Sequence, residues 1–183
     1  ECMCAAPQFM ATDTSDMLVL QSLSTSFIAI SLTLAIRVFL CLPDDAARES
    51  VSLLLNENTV IIDTSTAHRT NSDFVYGFPE IKEEIAEKLP TAKKIAVPGC
   101  HASGFIALIS PLVEAGVISK DILLCCTSVT GYSGGGKKMI AEYENEHRNV
   151  LLDAPRLYGL SQQHKHLKEM QAMGLLERSH GGA

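Results

Sequence analysis

The sequence has no excess of positive charge: 15 Lys and Arg stand against 21 Asp and Glu, for a formal net charge of −6. A nucleic-acid binder needs a basic footprint to displace counterions from phosphate, so neither DNA nor RNA is an expected partner. The dense cysteine framework of a small secreted scaffold is missing too. The six cysteines are Cys2, Cys4, Cys41, Cys100, Cys125 and Cys126, and neither close pair has the two-residue gap through which a zinc knuckle grips one ion. No metal site and a reducing, cytoplasmic setting are expected. No G-x-G-x-x-G fingerprint occurs, although a nicotinamide enzyme normally carries one on its first strand. A true P-loop is also absent: Gly131, Gly136 and Lys137 have the spacing, but Lys138 stands where a Ser or Thr hydroxyl must hold magnesium. What remains of that loop is a run of glycines whose backbone N–H groups can hold a phosphate without metal.

Charge is also absent from a twenty-residue run, Met17 to Ile36. That is about the length of a membrane span. Gln21, four serines and two threonines dilute it, and acidic Asp13 and Asp16 precede it where a signal peptide would be basic. A protein without a membrane anchor is expected.

Against these absences stand 183 residues, 46% of them apolar and 20% charged. At this length roughly two thirds of the unfolded surface can be buried. Past Arg37, VFLCL (38–42) is a short apolar run closed by Pro43, which predicts a strand buried on both faces. Asp44 and Asp45 offer an N-cap to a helix with Ala47, Val51, Leu54 and Leu55 on one stripe. VIID (60–63) predicts a second strand, IKEEIAEKL a helix stopped by Pro90, and KKIAV a third strand, with a polar, turn-rich stretch between 64 and 80. The second half continues with a helix from His101, bent or restarted at Pro111, a strand DILLCCTSVT, the glycine loop, a charged helix KKMIAEYENEH and an ordered HKHLKEM. The alternation predicts α/β architecture with a parallel sheet.

Cys100 is the most informative position for chemistry. In VPGCHASG it follows a strand and a Pro-Gly turn and opens a helix, where the free N–H groups and the macrodipole favour a thiolate. Gly99 is expected to leave room for a substrate and Gly104 to permit close packing. A nucleophilic cysteine needs an acid/base partner. Of the six histidines, His101 is expected to point away along its helix, and His147 and His180 to be surface residues. His164 and His166 are the candidates, with Tyr158 on the same approach and Lys165 and Lys168 suiting an anionic substrate.

Taken together, VFLCLPDDAARESV, IIDTSTAHRT, DFVYGFPEI, KIAVPGCHASGFIAL, SVTGYSGGGKKMI and LYGLSQQHKHLKEM closely resemble the N-acetyl-gamma-glutamyl-phosphate reductases of the shorter sequence type, from about Val38 to about Met170. The resemblance implies an enzyme of arginine biosynthesis that reduces a small acyl phosphate with NADP(H). In it the Cys100 thiolate forms a thioester, His164 manages the proton, and His166 and Tyr158 orient. Leu42, Pro43 and Ser65 would line the nicotinamide side, Ser133, Gly134, Gly135 and Gly136 the cofactor loop, and Arg69 would contact the substrate anion. It implies a partial Rossmann-like nucleotide domain (1–97) followed by a partial α+β catalytic domain (98–183), in a homo-oligomer. Residues 1–36 carry no resemblance and are expected to supply neither the family's first strand nor its glycine turn. The chain therefore reads as an internal piece of the enzyme with foreign sequence at each end, and the alternative function is an inactive fragment that docks with homologous subunits.

Overall fold

The computed structural model describes residues 17–20, 36–54, 56–157, 160–161 and 163–177. Five strands form one sheet: β1 (Met17–Leu20), β2 (Arg37–Leu40), β3 (Val60–Asp63), β4 (Val75–Tyr76) and β5 (Lys94–Ala96), in the order β1-β2-β3-β5-β4. Every pairing is parallel. The predicted α/β class therefore holds, but VFLCL is not buried on both faces: buried Val38, Leu40 and Leu42 alternate with half-buried Phe39 and exposed Cys41, and in VIID buried Ile61 and Asp63 alternate with half-buried Val60 and Ile62.

Strand β1 corrects one expectation, that residues 1–36 supply no strand of the sheet. Met17–Leu20 pairs with Arg37–Leu40, so the uncharged run that suggested a membrane span begins as the edge strand of the sheet. MLVL is an ordinary apolar strand sequence, and its signal is hidden only because further uncharged residues follow. Among the described residues no helix is long and apolar enough to cross a membrane.

Helix α1 (Asp44–Ser52) follows β2, with Ala47 buried and Val51 and Leu54 packed on the core; Leu55 lies outside the described residues. Its cap position is Pro43, so Asp44 and Asp45 sit in the first turn, where their negative charge is favourable to the helix dipole. The Asp44 carboxylate is used elsewhere, accepting from the Thr66 amide at 2.9 Å and the Thr66 hydroxyl at 2.5 Å. Burial pushes that carboxyl up, but the Thr66 hydrogen bonds outweigh it and hold it below its ordinary value. Helix α2 (Glu83–Lys88) precedes β5, and β5 leads to α3 (Cys100–Glu114), which continues through Pro111 without a restart. Helices α4 (Gly136–Tyr143) and α5 (His166–Met173) complete the described elements.

Two apolar clusters hold the fold. Val38, Leu40, Leu42, Ala47, Ile61, Phe74 and Ala96 pack between the sheet and α1. Tyr76, Ala102 and Ile106 form the other, with Phe105 on α3 against Met170 and Met173 on α5. Burying such side chains contributes roughly 1.5–3 kcal/mol each. The second cluster brings α5 against α3 and β4, although the sequence separates them widely.

The predicted strand 121–130 is not one. It runs without a ladder partner among the described residues, with Leu123 63% and Val129 96% exposed. A strand exists through its neighbour's hydrogen bonds, and apolar content alone supplies none.

Candidate functional site

The register aligns the strand ends. Leu40 pairs with Asp63, Asp63 with Ala96 and Ala96 with Tyr76, so these four residues form one row across the sheet at its carboxyl edge. In open parallel sheets ligands bind just beyond this edge. The segments leaving the row carry five of the candidates: Leu42 and Pro43 after β2, Ser65 and Arg69 after β3, and Cys100 after β5.

Cys100 is exposed and is the first residue of the fifteen-residue helix α3. The Ser103 amide bonds back to the Gly99 carbonyl at 2.8 Å, which starts the helical ladder and leaves the first-turn N–H groups without intrahelical partners. These N–H groups and the helix dipole direct positive potential toward the start of α3.

The turn before Cys100 is anchored by Glu169, a residue that no sequence motif had singled out. Its buried carboxylate accepts three hydrogen bonds: the Gly99 amide at 2.8 Å and the Tyr76 hydroxyl at 2.6 Å on Oε1, and Arg69 at 3.0 Å on Oε2. Arg69 also donates to the Thr64 carbonyl at 3.0 Å. Glu169 is 2% and Arg69 8% exposed, so this is a buried ion pair whose charges are matched by further hydrogen bonds. Burial and the bond to Glu169 push the Tyr76 phenol far up, so it donates and stays neutral. The space over Gly99 is therefore filled, not left open for a substrate: an added methyl would lie 2.5 Å from Arg69, 2.6 Å from His166 Nε2 and 2.8 Å from Glu169.

His166 opens α5 one turn before Glu169, so both side chains share a face. His164 and His166 meet edge to face with ring centroids 4.6 Å apart, and the His166 amide donates to His164 Nδ1 at 3.3 Å. His101 does not point away. Its ring centroid is 6.0 Å from that of His166, and its Nδ1 lies 2.6 Å from the Ser128 hydroxyl. Burial, then repulsion from His164, lowers His166 to about 4. Burial, followed by His101 and Lys165, lowers His164 as well. Both rings are therefore neutral near pH 7, the form in which a histidine can accept a proton. Among the described residues, His166 Nδ1 and Arg69 Nε are buried polar atoms without hydrogen-bond partners.

The turn after β3 is fixed by Asp63. Its buried carboxylate accepts from the Ser65 amide at 2.9 Å, the Ser65 hydroxyl at 2.8 Å and His68 Nδ1 at 2.6 Å. His68 stacks on Phe74 with centroids 4.2 Å apart.

The expected site residues thus meet different fates. Cys100, His166 and His164 converge around the Gly99 turn. Arg69 reaches the same place, but as a buried brace for Glu169 rather than a free anion contact, since both terminal nitrogens are engaged. Leu42 is buried, Pro43 exposed, and Ser65 buried with its hydroxyl committed to Asp63. Tyr158 lies outside the described residues. Ser133, Gly134, Gly135 and Gly136 form an exposed turn leading into α4, and none of them enters the buried cluster. Gly104 has nothing within 4 Å, so it serves no close packing. Glu169 was legible in principle, because H-x-x-E from 166 to 169 is one helical turn; Tyr76, Asp63 and His68 gave no comparable signal. No group of three or more metal-ligating side chains occurs among the described residues.

Two family descriptions match the chain: semialdehyde dehydrogenase, NAD binding domain, over residues 15–89, and semialdehyde dehydrogenase, dimerisation domain, over residues 100–179. The first includes β1, so likeness to the family begins earlier than Val38. The chain is 48% identical over 141 residues to the N-acetyl-gamma-glutamyl-phosphate reductase of Chelativorans sp. (strain BNC1), covering 76% of this chain and 44% of that protein. It is 47% identical over 142 residues to the enzyme of the same name from Rhizobium meliloti (strain 1021), covering 76% and 46%. The chain thus spans less than half the length of the curated relatives it matches. A solved structure of aspartate semialdehyde dehydrogenase II from Vibrio cholerae has the same fold, with a TM-score of 0.52 at 14% identity over 79% of this chain and 49% of that one.

Proposed function

The chain belongs to the semialdehyde dehydrogenase family, whose two domains it carries in part, and on that premise we propose that it performs the cysteine chemistry of an N-acetyl-gamma-glutamyl-phosphate reductase. The observation that carries the reading is the convergence on one turn of an exposed helix-opening cysteine and two neutral histidines at the carboxyl edge of a parallel sheet. The Cys100 sulfur attacks the acyl carbon of N-acetyl-gamma-glutamyl phosphate, a C–S bond forms, and the C–O bond to phosphate breaks with its electron pair leaving on phosphate. The first-turn N–H groups of α3 stabilise the oxyanion; the Gly99 amide is held by Glu169 and takes no part.

A nicotinamide cofactor, when bound, supplies the hydride that reduces the thioester carbonyl. The residues present would fit its nicotinamide end: exposed Pro43 offers apolar surface past β2 over buried Leu42, and Asp63 fixes the Ser65 turn after the adjacent strand. Ser133, Gly134, Gly135 and Gly136 would line the cofactor through backbone N–H groups. We assign NADP as the cofactor from the resemblance. His164 takes the Cys100 thiol proton as the sulfur attacks, gives it to the oxygen of the thiohemiacetal, and takes it back as the C–S bond breaks, which returns the thiolate and frees the semialdehyde. His166 orients His164, and Tyr158 would assist from its position in the motif. The nucleotide and catalytic domains divide near Val97, and we place the activity in cytoplasmic arginine biosynthesis by a homo-oligomer.

The test is alkylation and trapping. Iodoacetamide should modify Cys100 ahead of the other five thiols and abolish turnover, and N-acetyl-gamma-glutamyl phosphate alone should leave a hydroxylamine-sensitive acyl group on Cys100 that C100S lacks. Equal labelling of all six cysteines in the folded protein, or no acyl adduct, would sink the reading. A second reading, docking on a homologous subunit without turnover, is favoured by the exposed Leu108, Val117, Leu123 and Val129. Saturable NADPH binding by fluorescence supports the enzyme, and its absence supports docking.

A further inference from the structure

Buried His68 has no part in the chemistry above, yet its partner Asp63 fixes the turn that carries Ser65 and Arg69. Both Asp63 oxygens receive donors from Ser65, so the side chain acts as an accepting carboxylate and the hydrogen between it and His68 belongs to Nδ1. The Ser65 hydroxyl in turn accepts from the Ala67 amide at 3.1 Å. Residues 64–69 are thereby closed into a compact turn, held from outside by Asp44 on Thr66 and closed by Arg69 on the Thr64 carbonyl. Arg69 directly follows His68 and delivers its guanidinium to Glu169, which holds the Gly99 amide. A continuous line of charged and hydrogen-bonded contacts therefore runs from β3 to the turn before Cys100.

We propose that His68, through Asp63, is a positioning residue for the reaction: their hydrogen bond fixes the 64–69 turn, which sets Ser65 on the cofactor side and brings Arg69 to Glu169 and the Cys100 turn. His68 touches neither substrate nor the sulfur. Its contribution is to give Arg69 one direction of approach, since a turn free to rotate would carry the guanidinium off Glu169 and release the Gly99 amide. The role rests on the reductase reading only for Ser65; the link to Cys100 is read from reactivity, independent of turnover.

Two substitutions of similar polarity separate position from bulk. In H68N the amide nitrogen replaces Nδ1 and keeps the bond to Asp63, whereas in H68Q it replaces Nε2 and loses that bond; both lose the Phe74 stack. The readout on the full chain is the iodoacetamide rate at Cys100 divided by that at Cys41, which is also exposed. H68Q should lower this ratio about tenfold, because misplacing a reacting group is costly, while H68N stays within about threefold of the wild type. With turnover, H68Q should also raise the cofactor KM and H68N should not. A ratio unchanged in H68Q, or lowered equally in both variants, overturns the proposal. Absent wild-type turnover with the ratio still separating the variants defeats the reductase reading and leaves the positioning role standing. A measurement on the unmodified chain guards against a variant that fails to fold: in 15N-histidine NMR, His68 should show a protected Nδ1–H, and a bare Nδ1 overturns the proposal.

Discussion

Replacing Gly99 by Ala is the sharpest probe of the site, because the backbone there is ordinary and only space forbids a side chain. Gly99 has φ −77° and ψ 144°, a conformation that any residue adopts. The obstacle is three buried side chains within 2.8 Å of the new methyl, those of Arg69, His166 and Glu169. None can retreat freely: Arg69 and Glu169 are paired with each other, and Glu169 also holds Tyr76 and the Gly99 amide itself. Inserting a methyl into a well-packed interior costs about 1–3 kcal/mol, and separating a buried ion pair about 3–5 kcal/mol. Partial relaxation places the expected loss at about 2–3 kcal/mol, a fall in Tm of about 4–12 °C for a chain of this size. The comparison is Gly104→Ala, four residues from Cys100 on the exposed side of α3 with nothing within 4 Å, where the same methyl should stabilise by about 0.5–1 kcal/mol. Thermal and urea denaturation followed by circular dichroism read both signs. A G99A protein as stable as the wild type, with Cys100 alkylated at the wild-type rate, would refute the packed-turn account.

Stability should also depend on pH through His166. Its folded value of about 4 lies below the ordinary 6.5, so the unfolded chain binds the extra proton first, and the stability present above pH 6.5 is lost as pH falls toward 4. The loss is at most about 3 kcal/mol from this group, and urea midpoints from pH 7 to 4 should flatten in H166N; an unchanged slope contradicts the burial argument. Y76F removes one of the three donors on Glu169 and should lower stability by about 1–3 kcal/mol in urea unfolding, without exposing a new cavity. E169Q leaves the Arg69 charge without its partner and should cost more than Y76F, about 3 kcal/mol or above by the same measurement. The reverse order would mean that Tyr76, not the ion pair, carries the cluster.

Local patterns carried much of this fold. The runs at 37–40, 60–63 and 94–96 are legible as strands because each is short and mostly apolar, with its one charged residue at an end, and the helix at 100–114 follows from the Pro-Gly turn and its apolar period. The segment 121–130 looked equally strand-like and is not one, because pairing is a property of neighbours and its own residues do not encode them. In the site, Cys100, His164 and His166 were legible because a nucleophile at a helix start and paired imidazoles are locally unusual. Glu169 was legible only through its one-turn spacing from His166, the Asp63–His68 pair, though five residues apart, forms no unusual local pattern, and Tyr76 was hidden because it acts through a partner that the fold brings from elsewhere. His101 was misjudged for the same reason: its direction is set by Ser128, distant in sequence, rather than by its own helix.

The three bonds on Glu169 join residues 70, 93 and 100 positions apart along the chain. Closing a loop of about 100 residues carries an entropic cost of order 4 kcal/mol, which must be met before the contact returns anything. Helices α3 and α5 can form from local contacts on their own timescale, but the carboxylate that anchors the cysteine turn has no donors until the sheet edge and α5 have met. On refolding, helical signal should therefore recover before selective alkylation at Cys100. A newly made chain should therefore pass through a stage in which the Cys100 thiol lies on a formed helix before the turn that anchors it is complete.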